Sequence, residues 1–261
     1  MKKVLLAMMV FLVLFVGRVM AQEQGSDESY QDLLKNYRTY QALLEVFNTQ
    51  KSQYLTYQTV ESQAELLSSS KNLILTQIDS LTAYATFVKS LLAEATKVLN
   101  YKENYLYVML DEQIAYLESG KNKVLDLSSF TAVNEEASDL QSHYQKISNF
   151  GYQSKASIEL AGASKILANI KIETDKIKNL LEQRNSDEAR VLAAKEKVSG
   201  LEKEIREAED LLNQASNNLK NFTKDQNYVN LSQEIRRLID QAVEKFSLIV
   251  AGEKDIVFSL K

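Results

Sequence analysis

An all-α fold is predicted, and three observations carry the prediction. The 261-residue chain has no Pro and only 7 Gly, where average usage gives roughly 13 and 18. Its apolar residues recur at alternating steps of three and four, the spacing of one face of a helix. Charged residues make up 25% of the chain and flank the apolar stripes, as in Glu202-Lys203-Glu204-Ile205-Arg206, the pattern of a coiled coil. Sheet folds need turn residues every few positions, and this chain lacks them. The expected architecture is an elongated antiparallel helical bundle or long coiled coil.

The first 21 residues read as an address. Lys2 and Lys3 precede an unbroken apolar run from Val4 to Val16, and Val19-Met20-Ala21 offers a cleavage site between Ala21 and Gln22. This is the layout of a secretory signal peptide. The run is too short to span a bilayer, which takes about 20 apolar residues. Secretion or a periplasmic location is therefore expected. Contact with the membrane follows only if the segment stays uncleaved. Losing Lys2, Lys3 and Arg18 leaves a net charge of −7, with the acidic excess confined to residues 22–150. Binding to nucleic acid by bulk charge is not expected. Residues 22–28 are expected to be flexible.

Three seams follow. The first is Leu33, Tyr37, Tyr40, Leu44, Phe47, Lys51, Tyr54. Tyr57 and Val60 then come at two successive steps of three, read as a stammer that overwinds the helix without ending it. The second runs Val60, Ala64, Leu67, Lys71, Ile74, Ile78, Leu81, Ala85, Val88, Leu92, Ala95, Leu99, widened by Tyr84, Leu91 and Val98. A stripe this broad needs more than one neighbouring helix. The third is the most regular. Its first set of positions is Ala163, Ile170, Ile177, Arg184, Val191, Val198, Ile205, Leu212, Leu219. Its second is Ile166, Glu173, Leu180, Asp187, Ala194, Leu201, Ala208, Ala215, Phe222. The spacing survives the polar cluster Arg184–Asp187, so one continuous helix over 154–222 is expected, roughly 90 Å long from residue 163 onward.

Without Pro, breaks must come from Gly, Asn and Ser. The expected ones are Ser119-Gly120-Lys121-Asn122, Asp126–Ser129 with Ser128 or Ser129 capping a helix near Phe130, and Asn149-Phe150-Gly151. Ser154 is the expected cap of the next helix, the Asn-rich stretch 217–230 a turn, and Gly252 the last stop. This gives one elongated domain, 29–252, with paired arms 29–119 and 154–222. Shorter helices 130–149 and 231–251 pad it, and an apolar tail, 253–261, follows.

The inventory leaves little chemistry. With no Cys there is no thiol nucleophile, no zinc–cysteine site and no disulfide, and there is no Gly-rich phosphate loop. His143 is the single histidine. Glu136, Asp139 and His143 share one helical face and form a weak metal candidate. A bundle metal site needs matching ligands from a second helix, and no second His exists. Ten of 13 Tyr fall within residues 30–116, as core filler or as an aromatic surface. No enzyme activity, cofactor or metal is expected. The chain reads as an extracytoplasmic coiled-coil spacer, scaffold or protein-binding module at the cell envelope. Its expected partner is another protein or itself, through helical seams. Alternatives are a membrane-active helical toxin or pore subunit, with Leu73–Leu99 as its most apolar stretch, and an N-terminally anchored stalk.

Overall fold

The structure, a computed structural model, describes residues 24–95, 104–184, 189–222 and 228–259. The signal segment, with Ala21 and Gln22, lies outside them. Six helices hold the described residues, with no strand among them: α1 (Gln24–Tyr57), α2 (Val60–Glu94), α3 (Asn104–Leu125), α4 (Phe130–Glu182), α5 (Ala189–Lys220) and α6 (Tyr228–Ser259). The fold is an all-α helical bundle. The chain divides into two compact units, not the single domain 29–252 expected above. One holds the described part of Met1–Glu94 with Ile114–Ser138, the other that of Ala95–Gln113 with Asp139–Lys261.

In the first unit α1 and α2 form an antiparallel hairpin. Tyr30 packs on Phe87 with ring centroids 5.6 Å apart, and the Ser29 and Ser90 hydroxyls meet at 2.8 Å. Leu33, Tyr40, Leu44 and Phe47 of the first seam are buried. The turn needs two residues. Gln58 adopts φ 50°, a left-handed conformation that non-glycine residues seldom take. Thr59 then caps α2. The Ser62 N–H donates to Thr59 Oγ1 at 3.1 Å, and the Thr59 N–H donates to Ser62 Oγ at 3.1 Å. This is a reciprocal capping box with Ser in the place of Glu or Gln. The supposed stammer is thus a chain reversal. Its two residues, Tyr57 and Val60, are 69% and 84% exposed.

Helix α2 is buried on several sides. Ile74, Ile78, Leu81, Ala85, Val88 and Leu92 lie inside. So do Ser69, Ser70, Thr76 and Ser80, whose hydroxyls donate to carbonyls three or four residues earlier. Those bonds offset the cost of burying a hydroxyl. Its second neighbour is the end of α3, where Lys121 pairs with Asp79 at 2.8 Å. Lys71 donates to the Leu125 carbonyl at 2.6 Å, satisfying a helix C-terminus. Phe130, opening α4, packs on Tyr54 at 5.9 Å. Ser129 caps that helix, its Oγ accepting from the Ala132 N–H at 3.2 Å.

The second unit contains a three-helix bundle of α4, α5 and α6. Helices α4 and α5 are antiparallel, with Lys171–Glu209 and Lys178–Glu202 both at 2.7 Å. Helices α5 and α6 are antiparallel too, and Lys245 bridges them to Glu204 at 2.8 Å. Helices α4 and α6 run parallel: Tyr152 meets Tyr228 at 5.7 Å, and Thr174 Oγ1 donates to Glu253 Oε1 at 2.7 Å. The core combines Leu160, Leu167 and Ile170 with Ile205, Leu212 and Phe222, and with Ile235, Phe246 and Ile249.

Several expected boundaries move. The arm 29–119 turns at Gln58, and its helix α2 ends at Glu94. The arm 154–222 is interrupted at the polar cluster, where α4 ends at Glu182 and α5 begins at Ala189. Each arm therefore folds on itself: α1 pairs with α2 in the first unit, and α4 with α5 in the second. Ser119–Asn122 and Asn149–Gly151 lie inside α3 and α4, so the short helix 130–149 is part of a 53-residue helix. Glycine costs a helix interior only about 1 kcal/mol relative to Ala, and the buried seams of α3 and α4 outweigh that. Helix α6 likewise runs through Gly252 to Ser259, so the stop at 251 is not present and the described part of the apolar tail, 253–259, is helical. Ile256 is fully buried against Val191 and Val198. Gly252 provides a packing notch, since a Cβ there would stand 2.6 Å from Leu201 Cδ2. Helix α1 begins at Gln24, inside the segment 22–28 expected to be flexible.

Candidate functional site

Seam positions of α5 occupy the interior of the second unit. Val191, Ala194, Val198, Ile205, Ala208, Leu212 and Ala215 are buried, and Leu201 and Leu219 are half-buried. Along α4 the two sets of positions separate. Ala163 and Ile170 are buried and Ile177 is half-buried, but Leu180 is 59% and Ile166 49% exposed. The interior instead takes Leu160, Leu167, Thr174 and Leu181. The covered stripe of α4 thus lies one residue beyond the expected one, about 100° around the helix.

The displaced stripe is the most suggestive surface of the molecule. Glu159, Ile166, Glu173 and Leu180 follow one another at intervals of seven along α4. Arg236, Val243, Val250 and Val257 do the same along α6, each 77 positions after its counterpart. Because the two helices are parallel, the stripes run side by side. Val243, Val250 and Val257 are 43%, 37% and 44% exposed. Between the stripes lies an open groove of about 760 Å³, with Ile170 and Phe246 in its floor and Glu173 and Lys254 among its lining. A groove bounded by valines at heptad spacing on α6, and by Ile166 and Leu180 alternating with Glu159 and Glu173 on α4, is a surface that a further helix can pack into.

Behind the groove, Lys245 of α6 bridges to Glu204 and Glu207 of α5. Two hydrogen bonds from Lys245, to Glu204 and Glu207, raise its pKa to about 12, and the same contact holds Glu207 below the usual carboxylate range. One heptad before Ile166, burial raises the pKa of Glu159, against the opposing pull of Lys155 and Arg236 and with Asp240 adding to the rise. Burial also pushes Tyr152 well above the usual phenol range, with Tyr144 and Tyr228 adding to it.

The residues of the metal candidate go elsewhere. Glu136 and His143 lie in the buried seam of α4 with Val133, Leu140 and Ile147, because a spacing of seven returns to the same seam position. Glu136 pairs with Lys123 at 2.6 Å. The His143 Nδ1–H donates to Gln113 Oε1 at 2.7 Å. Burial lowers the His143 pKa, nearby Lys146 lowers it further, and Asp139 opposes both. Asp139 is only half-buried. Among the described residues no group of three or more His, Asp or Glu side chains is placed to hold a metal ion.

The tyrosines divide between the two readings. Tyr40 is buried and Tyr37 and Tyr54 pack against its cluster, while Tyr57, Tyr105, Tyr107 and Tyr116 are exposed at the surface. No helix among the described residues is long and apolar enough to cross a membrane. Comparison with protein-family models, with curated proteins and with solved structures gives no match.

The sequence reading missed the α6 stripe. Its signal was present in the three valines at 243, 250 and 257, in step with 166, 173 and 180. The reading followed only the more apolar face of α6.

Proposed function

We propose that the chain is a non-enzymatic helical module that binds another protein chain, exported to the cell envelope and acting there as scaffold or spacer. The observation that supports this reading is the groove between α4 and α6. It presents Val243, Val250 and Val257 at heptad spacing on α6 beside Ile166 and Leu180 on the parallel α4, all of them substantially exposed. Burying such side chains on association is favourable at about 25 cal/mol per Å² of apolar surface, so a groove of this pattern favours a helical partner. Export rests on the signal-like first 21 residues.

A photo-crosslinking amino acid at Val250 in living cells tests the reading. The expected result is one discrete protein adduct. The same probe at Leu192, an exposed α5 side chain outside the groove, should give none. Equal labelling at both positions, or no adduct at 250, would count against the proposal.

A further inference from the structure

Resting on that protein-binding reading, we infer that the occupant of the groove is the same groove of a second copy, giving a two-fold dimer with its axis parallel to the helices. The pattern of charge carries the inference. With the axis running along the groove, α4 of one copy faces α6 of the other at the same level and in the same direction. Ile166 then meets Val243 of the second copy, and Leu180 meets its Val257. Glu159 meets Arg236, and Glu173 meets Val250 at its own level with Lys254 one turn on; Glu173, Glu253 and Lys254 all line the groove, and Glu253 is engaged by Thr174 of its own chain. Every contact occurs twice, as an isologous interface demands. Ile166 and Leu180 thus face valines and Glu159 faces a base, while Glu173 lies level with Val250 and one helical turn from Lys254.

The other two-fold arrangement fails this test. An axis across the groove places α4 against α4 in antiparallel order. Centred between Ile166 and Glu173, it sets each Ile166 against a Glu173 and each Leu180 against a Glu159; centred on Ile166 it sets Glu159 against Glu173, and centred on Glu173 it sets that acid against its own copy. Charges buried against apolar side chains disfavour that pairing. Glu173 already accepts from Lys176 of its own helix at 2.8 Å. That i,i+3 pair is exposed and weak, so it yields readily to a base across the interface.

Sedimentation equilibrium of the full exported chain tests the inference. The expected mass is twice that of one chain at concentrations up to about 100 µM, the weak end for a specific contact. Val250→Asp is expected to weaken the dimer by about 100-fold or more, as for a central apolar anchor. Lys254→Glu is expected to weaken it about tenfold, and the exchange Glu173→Lys with Lys254→Glu to restore most of the loss. All three sites are exposed, and circular dichroism with thermal melts checks that each variant folds. A carbodiimide crosslink joining Glu173 to Lys254 between ¹⁴N- and ¹⁵N-labelled copies is the independent readout. A chain that stays monomeric, a dimer indifferent to Val250→Asp, or charge exchange without recovery overturns the inference. The photo-crosslink separates the two proposals. A monomer whose position 250 labels a different protein removes the second copy and keeps the module, while a monomer with no adduct removes both.

Discussion

Leu180 and Leu181 are neighbours in α4, yet one is 59% and the other 1% exposed. Leu181→Ala is expected to cost about 2–5 kcal/mol by leaving a cavity among Val191, Val198 and Ile256. Leu180→Ala, measured at a concentration low enough to keep the chain monomeric, should stay within about 0.5 kcal/mol, as usual for surface sites. Urea unfolding of both variants reads the difference, and equal losses would contradict the burial described. Glycines give a second contrast. Gly200 has open space around its Cα, whereas Gly252 packs on Leu201. Gly200→Ala should therefore stabilise by about 0.5–1 kcal/mol through helix propensity. At Gly252 the same gain meets overpacking, typically about 1–3 kcal/mol, and a net loss is expected. His143 adds a pH dependence. Its folded-state pKa is depressed, so the unfolded chain takes up the proton first as pH falls. The stability it contributes is complete above the ordinary His range and is lost as pH falls through that range towards the folded value. Between about pH 7.5 and pH 5.5, wild type should lose more stability than His143→Gln, which keeps a polar partner for Gln113 but does not titrate. Parallel pH profiles would contradict this.

At the scale of elements, the seams were legible but the reversals were not. The α5 seam could be read directly because one face of that helix is apolar at both heptad positions and the other is Lys- and Glu-rich. On α4 two stripes lie one residue apart. Ile166 and Leu180 look as much like a seam as Leu167 and Leu181, and only the position of the neighbouring helices decides which is covered. The turn at Gln58 left no composition signal, because a non-glycine residue takes the left-handed conformation there. The cap that follows it, Thr59 with Ser62, was readable in principle. Gly151 and Gly252 misled for the opposite reason: burial within long helices outweighs the propensity of glycine to end them. The hairpin turn makes its own prediction. Gln58→Gly should stabilise by about 1 kcal/mol, the cost of the left-handed conformation for a side chain with a Cβ. Thr59→Ala should destabilise by about 1 kcal/mol through loss of the cap. Thermal melts that show both variants shifting the same way would rule out the turn as described.

At the scale of the whole molecule, what the sequence could show of a site was its ingredients. The heptads that make the groove are printed in the chain, but a groove exists only once α4 and α6 lie parallel with α5 behind them. That arrangement depends on where the reversals fall, and the reversal after Glu182 was read as continuous helix. The missing residue types, Cys and a second His among them, were easier to read, since a composition needs no geometry. Export is the remaining whole-molecule reading, and it rests on the first 21 residues alone. Signal peptidase requires a small residue just before the cut, so the export proposed above predicts a mature N-terminus at Gln22. N-terminal sequencing of the protein from the extracytoplasmic fraction should therefore begin at Gln22. Ala21→Phe should leave a longer, membrane-associated precursor that keeps Lys2 and Lys3. A native chain that begins at Met1 and fractionates with the membrane would instead support the anchored stalk. In that case, copies tethered at one end would meet in parallel, the orientation that the two-fold pairing of the groove requires. A chain that begins at Met1 in the cytosol would remove the envelope reading, while the groove and its heptads would still call for a helical partner there.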